Sequence, residues 1–158
     1  MNNNLAGVTK SLEPVEEVVA EAVLRLKKRI PNANITLKVP DEFLMIPMDA
    51  TLIEQVLINL LENALVHSQS DKPVFCNVEE HENDAVFSVI DHGVGIPEDK
   101  LESIFDGAPS TTVTTDGRKG MGIGLSICKS IILAHGGTIK VKNHEQGAEF
   151  YFTLPKDC

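Results

Sequence analysis

Tryptophan is absent from this chain, tyrosine occurs once, and aromatic residues make up only 4% of it. A core built from such a sequence is aliphatic, which suits Val- and Ile-rich sheet packed on Leu-rich helix. Cysteine is scarce too: Cys76, Cys128 and Cys158 are odd in number and far apart. They offer neither a Cys-x-x-Cys metal spacing nor a disulfide framework, and they point to a reducing cytoplasm. Cys76 and Cys128 read as small apolar residues of a strand and a helix. Basic charge is also short, with 14 Lys and Arg against 23 Asp and Glu and a net charge of −9. With no local concentration of basic residues, the chain should repel nucleic acid and anionic lipid. No apolar run approaches the roughly 18–20 residues of a membrane span, and the opening MNNNLAGVTK lacks a signal-peptide core. The expectation is a soluble chain.

What is present fits one compact domain: 158 residues, 42% hydrophobic and 23% charged. Val15, Val18, Val19, Ala22, Val23, Leu26 and Ile30 recur at helical spacing after Pro14, with acid early and base late, predicting a helix over 14–30. Ile35, Leu37 and Val39 alternate as a strand, and Phe43 to Met48 offers a second. Asp49 is placed to cap a helix running to about His67, whose apolar face is Leu52, Ile53, Val56, Leu57, Leu60, Leu61 and Leu65. Residues 73–79 and 85–91 read as a hairpin, and Pro97 opens a short helix through Phe105. The polar stretch 106–119 reads as a surface loop. A helix over 122–135 ends at Gly136-Gly137, and a hairpin closes the chain around Glu145-Gln146-Gly147. Because the strands fall in adjacent antiparallel pairs rather than βαβ units, the fold class is a two-layer α/β sandwich. Its sheet is mixed and mostly antiparallel, with helices on one face. Residues 12–158 form the domain and 1–11 read as linker.

Three short patterns carry possible chemistry. Gln55, Asn59, Asn63 and His67 fall four apart along one helix, and mid-helix asparagines are poor for propensity. Such a stripe is either a solvated face or a set of amide oxygens suited to a hydrated magnesium ion, with Glu62 positioning a water. Alternation next puts Asp91 on the same face as Ala85, Phe87 and Val89, a costly place for a carboxylate without a partner. Gly93 and Gly95 follow, either as an ordinary turn or to let a flat ligand approach the backbone. Last, Gly120-Met121-Gly122-Ile123-Gly124-Leu125 opens a helix, where free N–H groups favour phosphate oxygens. Alone this is weak, and neither a Rossmann fingerprint nor a Walker A loop fits it.

In this order and spacing the patterns resemble the ATP-binding domain shared by sensor histidine kinases, gyrase, a heat-shock chaperone and MutL. Asn59-Leu60-Leu61-Glu62-Asn63-Ala64 is similar to the kinase N box, and Asp91-His92-Gly93-Val94-Gly95-Ile96-Pro97 to the first glycine box. Ile104-Phe105-Asp106 is similar to the F box and Gly120 to Leu125 to the second glycine box. The resemblance covers about residues 12–155. Ser11 to Val15, Asp49 to Leu57 and Ala134 to Thr138 are further similar to the Kdp-type branch of these kinases.

The resemblance implies a Bergerat-type fold and an enzyme, a protein-histidine kinase domain that binds ATP with magnesium. Asp91 would accept a hydrogen bond from the adenine amino group, and Gly93 and Gly95 would admit the base beside Ile96, Ile123 and Leu125. Asn63 would hold magnesium with Asn59 nearby, while Glu62 and Asn59 would serve the transfer step. Gly120, Met121, Gly122, Ile123 and Gly124 would hold phosphate, His67 and Lys119 would add polar contacts, and Phe105 would anchor a mobile lid over 106–119. The implied partners are a histidine-bearing dimerisation domain of the same kinase and, through it, a response regulator. The isolated domain would be a monomer and the full-length kinase a homodimer. The domain would lie in the cytoplasm, and the whole kinase would be anchored in a bacterial inner membrane.

Four departures from the family pattern stand out. Val66 replaces a usual Lys or Arg, and His67 a usual Tyr. Gly107-Ala108-Pro109-Ser110 replaces an aromatic and a basic residue, and Ala148 replaces a Thr beside the adenine site. Arg118 or Lys119 is left to supply the missing phosphate charge. None of the five histidines lies in a phosphoacceptor helix, and His81, His92, His135 and His144 read as surface or structural residues. Two other readings remain open: a gyrase- or MutL-like ATP hydrolase, against which Asn59 stands where those relatives place a general-base Glu, and a nucleotide-binding module without turnover.

Overall fold

The computed structural model describes residues 8–67, 71–106, 121–145 and 147–157, without the side chains of 67 and 121–123. Strand β1 (Ser11–Pro14) leads into helix α1 (Val15–Arg29), followed by β2 (Ile35–Lys38), β3 (Met45–Met48) and α2 (Ala50–His67). Then come the hairpin β4 (Val74–Glu80) and β5 (Asp84–Ile90), helix α3 (Met121–Ala134), and the hairpin β6 (Ile139–His144) and β7 (Gly147–Pro155). The main sheet has the order β2-β4-β5-β7-β6; β2 pairs with β4 in parallel and all other pairs are antiparallel. The mixed, mostly antiparallel sheet is as expected.

Two expectations need correction. β2 and β3 do not form an antiparallel pair: β3 pairs with β1 in a separate two-stranded sheet, and β2 crosses over to β4. A parallel pair needs a crossover connection, and the chain from β3 through α2 supplies it. Between Pro97 and Phe105 only Glu98–Lys100 is helical, as a single 3-10 turn, and turns follow. Of the stretch read as linker, Val8 is buried, Thr9 donates its N–H to Asp49 Oδ2 (3.2 Å), and Lys10 Nζ donates to the His135 carbonyl (3.1 Å). Residues 8–11 therefore dock on the domain.

Period-two alternation builds the sheet's inner face: Val74, Cys76, Val78, Ala85, Phe87, Val89, Phe150, Phe152 and Leu154 are all buried. Phe87 and Phe152, register partners, stack with centroids 4.7 Å apart. Against this face lie the apolar stripes of the three helices, α2 in the middle with α1 and α3 packed on it. Cys76 and Cys128 lie within this core, and burial pushes both thiols up to about 12. Helix α2 starts at Asp49, whose Oδ1 accepts from Leu52 N–H at 3.4 Å, an N-cap bond. Helix α3 stops at Gly136 (φ 82°), and Gly137 lies so close to β7 that a Cβ there would fall 1.8 Å from the Thr153 carbonyl oxygen.

His135 joins these two helix ends. It is fully buried; its Nδ1 donates to the Ile131 carbonyl (2.8 Å) and its Nε2 accepts the Asp49 N–H (3.0 Å). Only the neutral ring makes both bonds, because a protonated Nε2 cannot accept. Burial pushes its pKa below 6.5 and the Lys10 ammonium pushes the same way, against the opposing pull of the Ile131 carbonyl and the Asp49 carboxylate. The unfolded chain therefore binds the extra proton first. The stability that His135 contributes is complete above its unfolded pKa and is lost as pH falls through the lowered folded value. We expect the unfolding free energy of wild type minus that of His135→Ala to shrink as pH drops from about 8 to about 5. Urea titrations at several pH values check this, and a pH-independent difference would contradict it.

Candidate functional site

Asp91 lies one residue past the end of β5, and the strand's alternation delivers its carboxylate to the inner face, where it is only 4% exposed. A buried carboxylate needs compensating donors. Oδ1 has two, the N–H of Gly93 at 3.0 Å and that of Ala148 at 3.1 Å. The Asp91 N–H in turn donates to the Ala148 carbonyl at 3.0 Å, extending the β5–β7 ladder by one step. No such donor reaches Oδ2 among the described residues. The carboxylate is thus fixed in orientation with one oxygen uncommitted, able to accept from an exocyclic amino group.

Two glycines allow close packing around this carboxylate and the segment after it. A Cβ on Gly147 (φ 153°) would fall 2.1 Å from the Asp91 carbonyl oxygen and 2.9 Å from its Oδ1. Gly95 (φ 83°) leaves room for a different neighbour than expected, since its Cβ would meet Asn143 Oδ1 at 2.9 Å. Asn143, opposite Ala148 in the β6–β7 register, accepts the Ile96 N–H at 2.9 Å and donates to the Ile96 carbonyl at 2.8 Å. Gly147 reads in sequence only as a hairpin turn, and nothing local marks Asn143; both contacts span more than 40 positions. Ala148 acts through its main chain, so the lost Thr side chain leaves that bond to Asp91 in place.

On α2, Asn63 Oδ1 is buried and has no donor among the described residues. An amide oxygen so placed costs free energy unless a ligand or water completes it, and as a hard oxygen donor it fits magnesium. Asn59 faces α3, its Nδ2 3.8 Å from Cys128 Sγ. Glu62 points the other way and pairs with Arg29 at the end of α1. Val66 is 52% exposed. Among the described residues no cluster of three or more His, Cys, Asp or Glu could hold a metal ion. His81 pairs with Glu79, His144 with Glu149, and His92 stands edge-on to Phe75.

The remaining expected residues divide between core and undescribed positions. Phe105 is buried, its ring edge-on to Phe150 with centroids 6.1 Å apart, and Leu125 is equally a core residue. Ile96 packs partly against that core. Gly122 and Gly124 lie in the first turn of α3, and a Cβ on Gly124 would meet nothing within 4 Å. The side chains of His67, Met121 and Ile123 lie outside the described residues, as do Lys119, Gly120 and the expected lid from 107 onward.

The model of the histidine kinase-, DNA gyrase B- and HSP90-like ATPases matches residues 48–157, more than half of the chain. The chain belongs to this family. Its members bind ATP, which makes ATP the nucleotide for this ATPase domain. It is 46% identical over 152 residues to the sensor protein KdpD of Clostridium acetobutylicum, covering 95% of this chain and 17% of that protein. It is 39% identical to the adaptive-response sensory kinase SasA of Prochlorococcus marinus, covering 87% and 38%. The chain thus spans well under half the length of these relatives. The nucleotide-free catalytic domain of histidine kinase ThkA superposes with a TM-score of 0.81 at 33% identity, covering 94% of this chain and 96% of that one. This ATPase domain therefore has the architecture of a histidine kinase catalytic domain. Within it, Gly147→Ala should lower unfolding stability by about 1–3 kcal/mol, because the methyl collides with main chain rather than with a movable side chain. Thermal unfolding measures this, and a wild-type midpoint would show that β7 need not lie so close to Asp91.

Proposed function

We propose that this chain is the catalytic part of a two-component sensor histidine kinase. In that role it binds magnesium-ATP and passes the γ-phosphoryl group to a histidine on a separate dimerisation domain. The observation that carries the reading is the Asp91 carboxylate, buried and fixed through Oδ1 by two main-chain N–H groups, with no donor to Oδ2 among the described residues. Oδ2 accepts the adenine 6-amino hydrogen; guanine presents a carbonyl oxygen at that position and is repelled. Asn63 Oδ1, buried and without a donor among the described residues, would hold a magnesium ion, which would supply charge stabilisation at the phosphates. Main-chain N–H groups at the start of α3 face the phosphate oxygens. In the transfer the bond from the γ-phosphorus to the bridging oxygen breaks as the histidine nitrogen attacks in line, and ADP leaves.

Glu62 orients the incoming histidine once its bond to Arg29 is exchanged, and Asn59 holds the α2 side of the site against α3. Asn59 also argues against water as acceptor, since an amide is no general base. That assistance is typically worth about 10²–10⁴-fold. A response regulator is the next acceptor in line, a reading supported by the ThkA structure determined with the regulator TrrA, 31% identical to this chain with a TM-score of 0.77. Similarity to KdpD supports a whole protein anchored at a membrane, although no helix among the described residues is long and apolar enough to cross one.

Calorimetry with ATP and GTP tests the nucleotide assignment. Wild type should bind ATP in preference to GTP. Asp91→Asn, which turns an acceptor into a donor, should weaken ATP about ten- to hundredfold; unchanged affinity would remove Asp91 from the site. Labelled γ-phosphate ATP tests the acceptor. The chain alone should stay unlabelled, and an added fragment carrying the dimerisation helices should take up label, more slowly with Glu62→Gln. Brisk phosphate release without that fragment would favour a hydrolase.

A further inference from the structure

We infer that Asn143, at the end of β6, is a positioning residue for adenine recognition: its side-chain amide clamps the main chain of Ile96 and so holds one wall of the pocket at a fixed distance from Asp91. The inference deepens the reading of the site as an adenine pocket and rests on it. Asn143 Oδ1 accepts the Ile96 N–H (2.9 Å) and Nδ2 donates to the Ile96 carbonyl (2.8 Å), so both main-chain polar groups of that residue are taken by one side chain. A single hydrogen bond lets a loop pivot; a donor–acceptor pair fixes it in translation and in rotation. The segment held in this way is the one that needs it. It lies between Asp91 and the 3-10 turn at Glu98, past the end of β5 with only a lone bridge at Gly93, and Val94 within it is 76% exposed.

The same hairpin holds both halves of the pocket. Asn143 and Ala148 are register partners; the first grips Ile96 while the second bonds Asp91 through its N–H and its carbonyl. The separation of the Asp91 carboxylate from the Ile96 wall is therefore set within one cross-strand pair. Gly95 belongs to the same device, because a Cβ there would fall 2.9 Å from Asn143 Oδ1 and push the clamp open. The second glycine of the Asp-x-Gly-x-Gly segment thus makes room for Asn143.

The test uses this chain with ADP as probe, well below the unfolding midpoint so that only folded protein is titrated. Asn143→Ala removes both bonds and should weaken ADP roughly three- to thirtyfold, with the Ile96 amide losing its protection from hydrogen exchange. Asn143→Asp is isosteric and keeps the acceptor for the Ile96 N–H but not the donor for its carbonyl. It should leave the Ile96 amide protected and give an intermediate affinity. A merely structural residue would lower the unfolding midpoint and leave the affinity of the folded protein unchanged; that result overturns the inference, as does equal ADP affinity in all three proteins. If wild type binds ADP, such a failure concerns the clamp alone. A wild type that binds no adenine nucleotide overturns the pocket reading and the clamp with it.

Discussion

A single buried carboxylate sets the terms for much of this structure. Asp91 can be only 4% exposed because two main-chain N–H groups converge on one of its oxygens. Hydrogen bonds to an ionised group are roughly twice as strong as neutral ones, which offsets much of its desolvation. Bringing those donors together makes demands at long range. β7 must run beside β5 in the register that pairs Ile90 with Glu149, and position 147 must lack a side chain. The turn after Asp91 must fold back at Gly93. The register of β7 beside β5 and the glycine at 147 both meet the needs of one side chain.

How much of this was legible in the sequence depended on how far each contact reaches along the chain. The helices at 15–29 and 50–67 were visible through their apolar period and caps. The inner-face position of Asp91 was visible through alternation in β5, and the end of α3 through its paired glycines. All of these are properties of neighbours within a turn or a strand. The parallel pairing of β2 with β4 was not legible, because three of the four residues of β2 are exposed and nothing in them names a partner. β1 escaped for the same reason, being four residues long with Leu12 59% exposed. His135 could be read only as a residue before a glycine stop, since its Nε2 partner lies 86 positions away. The pattern from Asn59 to Asn63 was legible as spacing, but the diverging surroundings of Asn59, Glu62 and Asn63 emerge only when α1 and α3 are packed on α2.

The departures from the family pattern take on different weight once the side chains are placed. Replacing Thr by Ala at 148 looks in sequence like a loss at the adenine site, yet the atoms that bond Asp91 are the N–H and carbonyl that every residue but proline carries. Val66 is a different case. Half exposed on α2, it carries no charge, so the cation that the family pattern places there has no counterpart at 66. The main-chain bonds between Ala148 and Asp91 therefore do not depend on the side chain at 148.

Cys128 adds a last consequence. Its sulfur lies 3.8 Å from the Asn59 amide and 3.9 Å from the Val56 carbonyl oxygen, on the rear wall of the proposed magnesium side. Burial pushes its thiol up to about 12, so at neutral pH it stays protonated. Peroxide and alkylating agents act on thiolates that they can reach, and this one is neither ionised nor reachable while α2 and α3 stay packed. The wall is chemically silent towards oxidants, and labelling of Cys128 reports the parting of those two helices rather than the redox state of the surroundings.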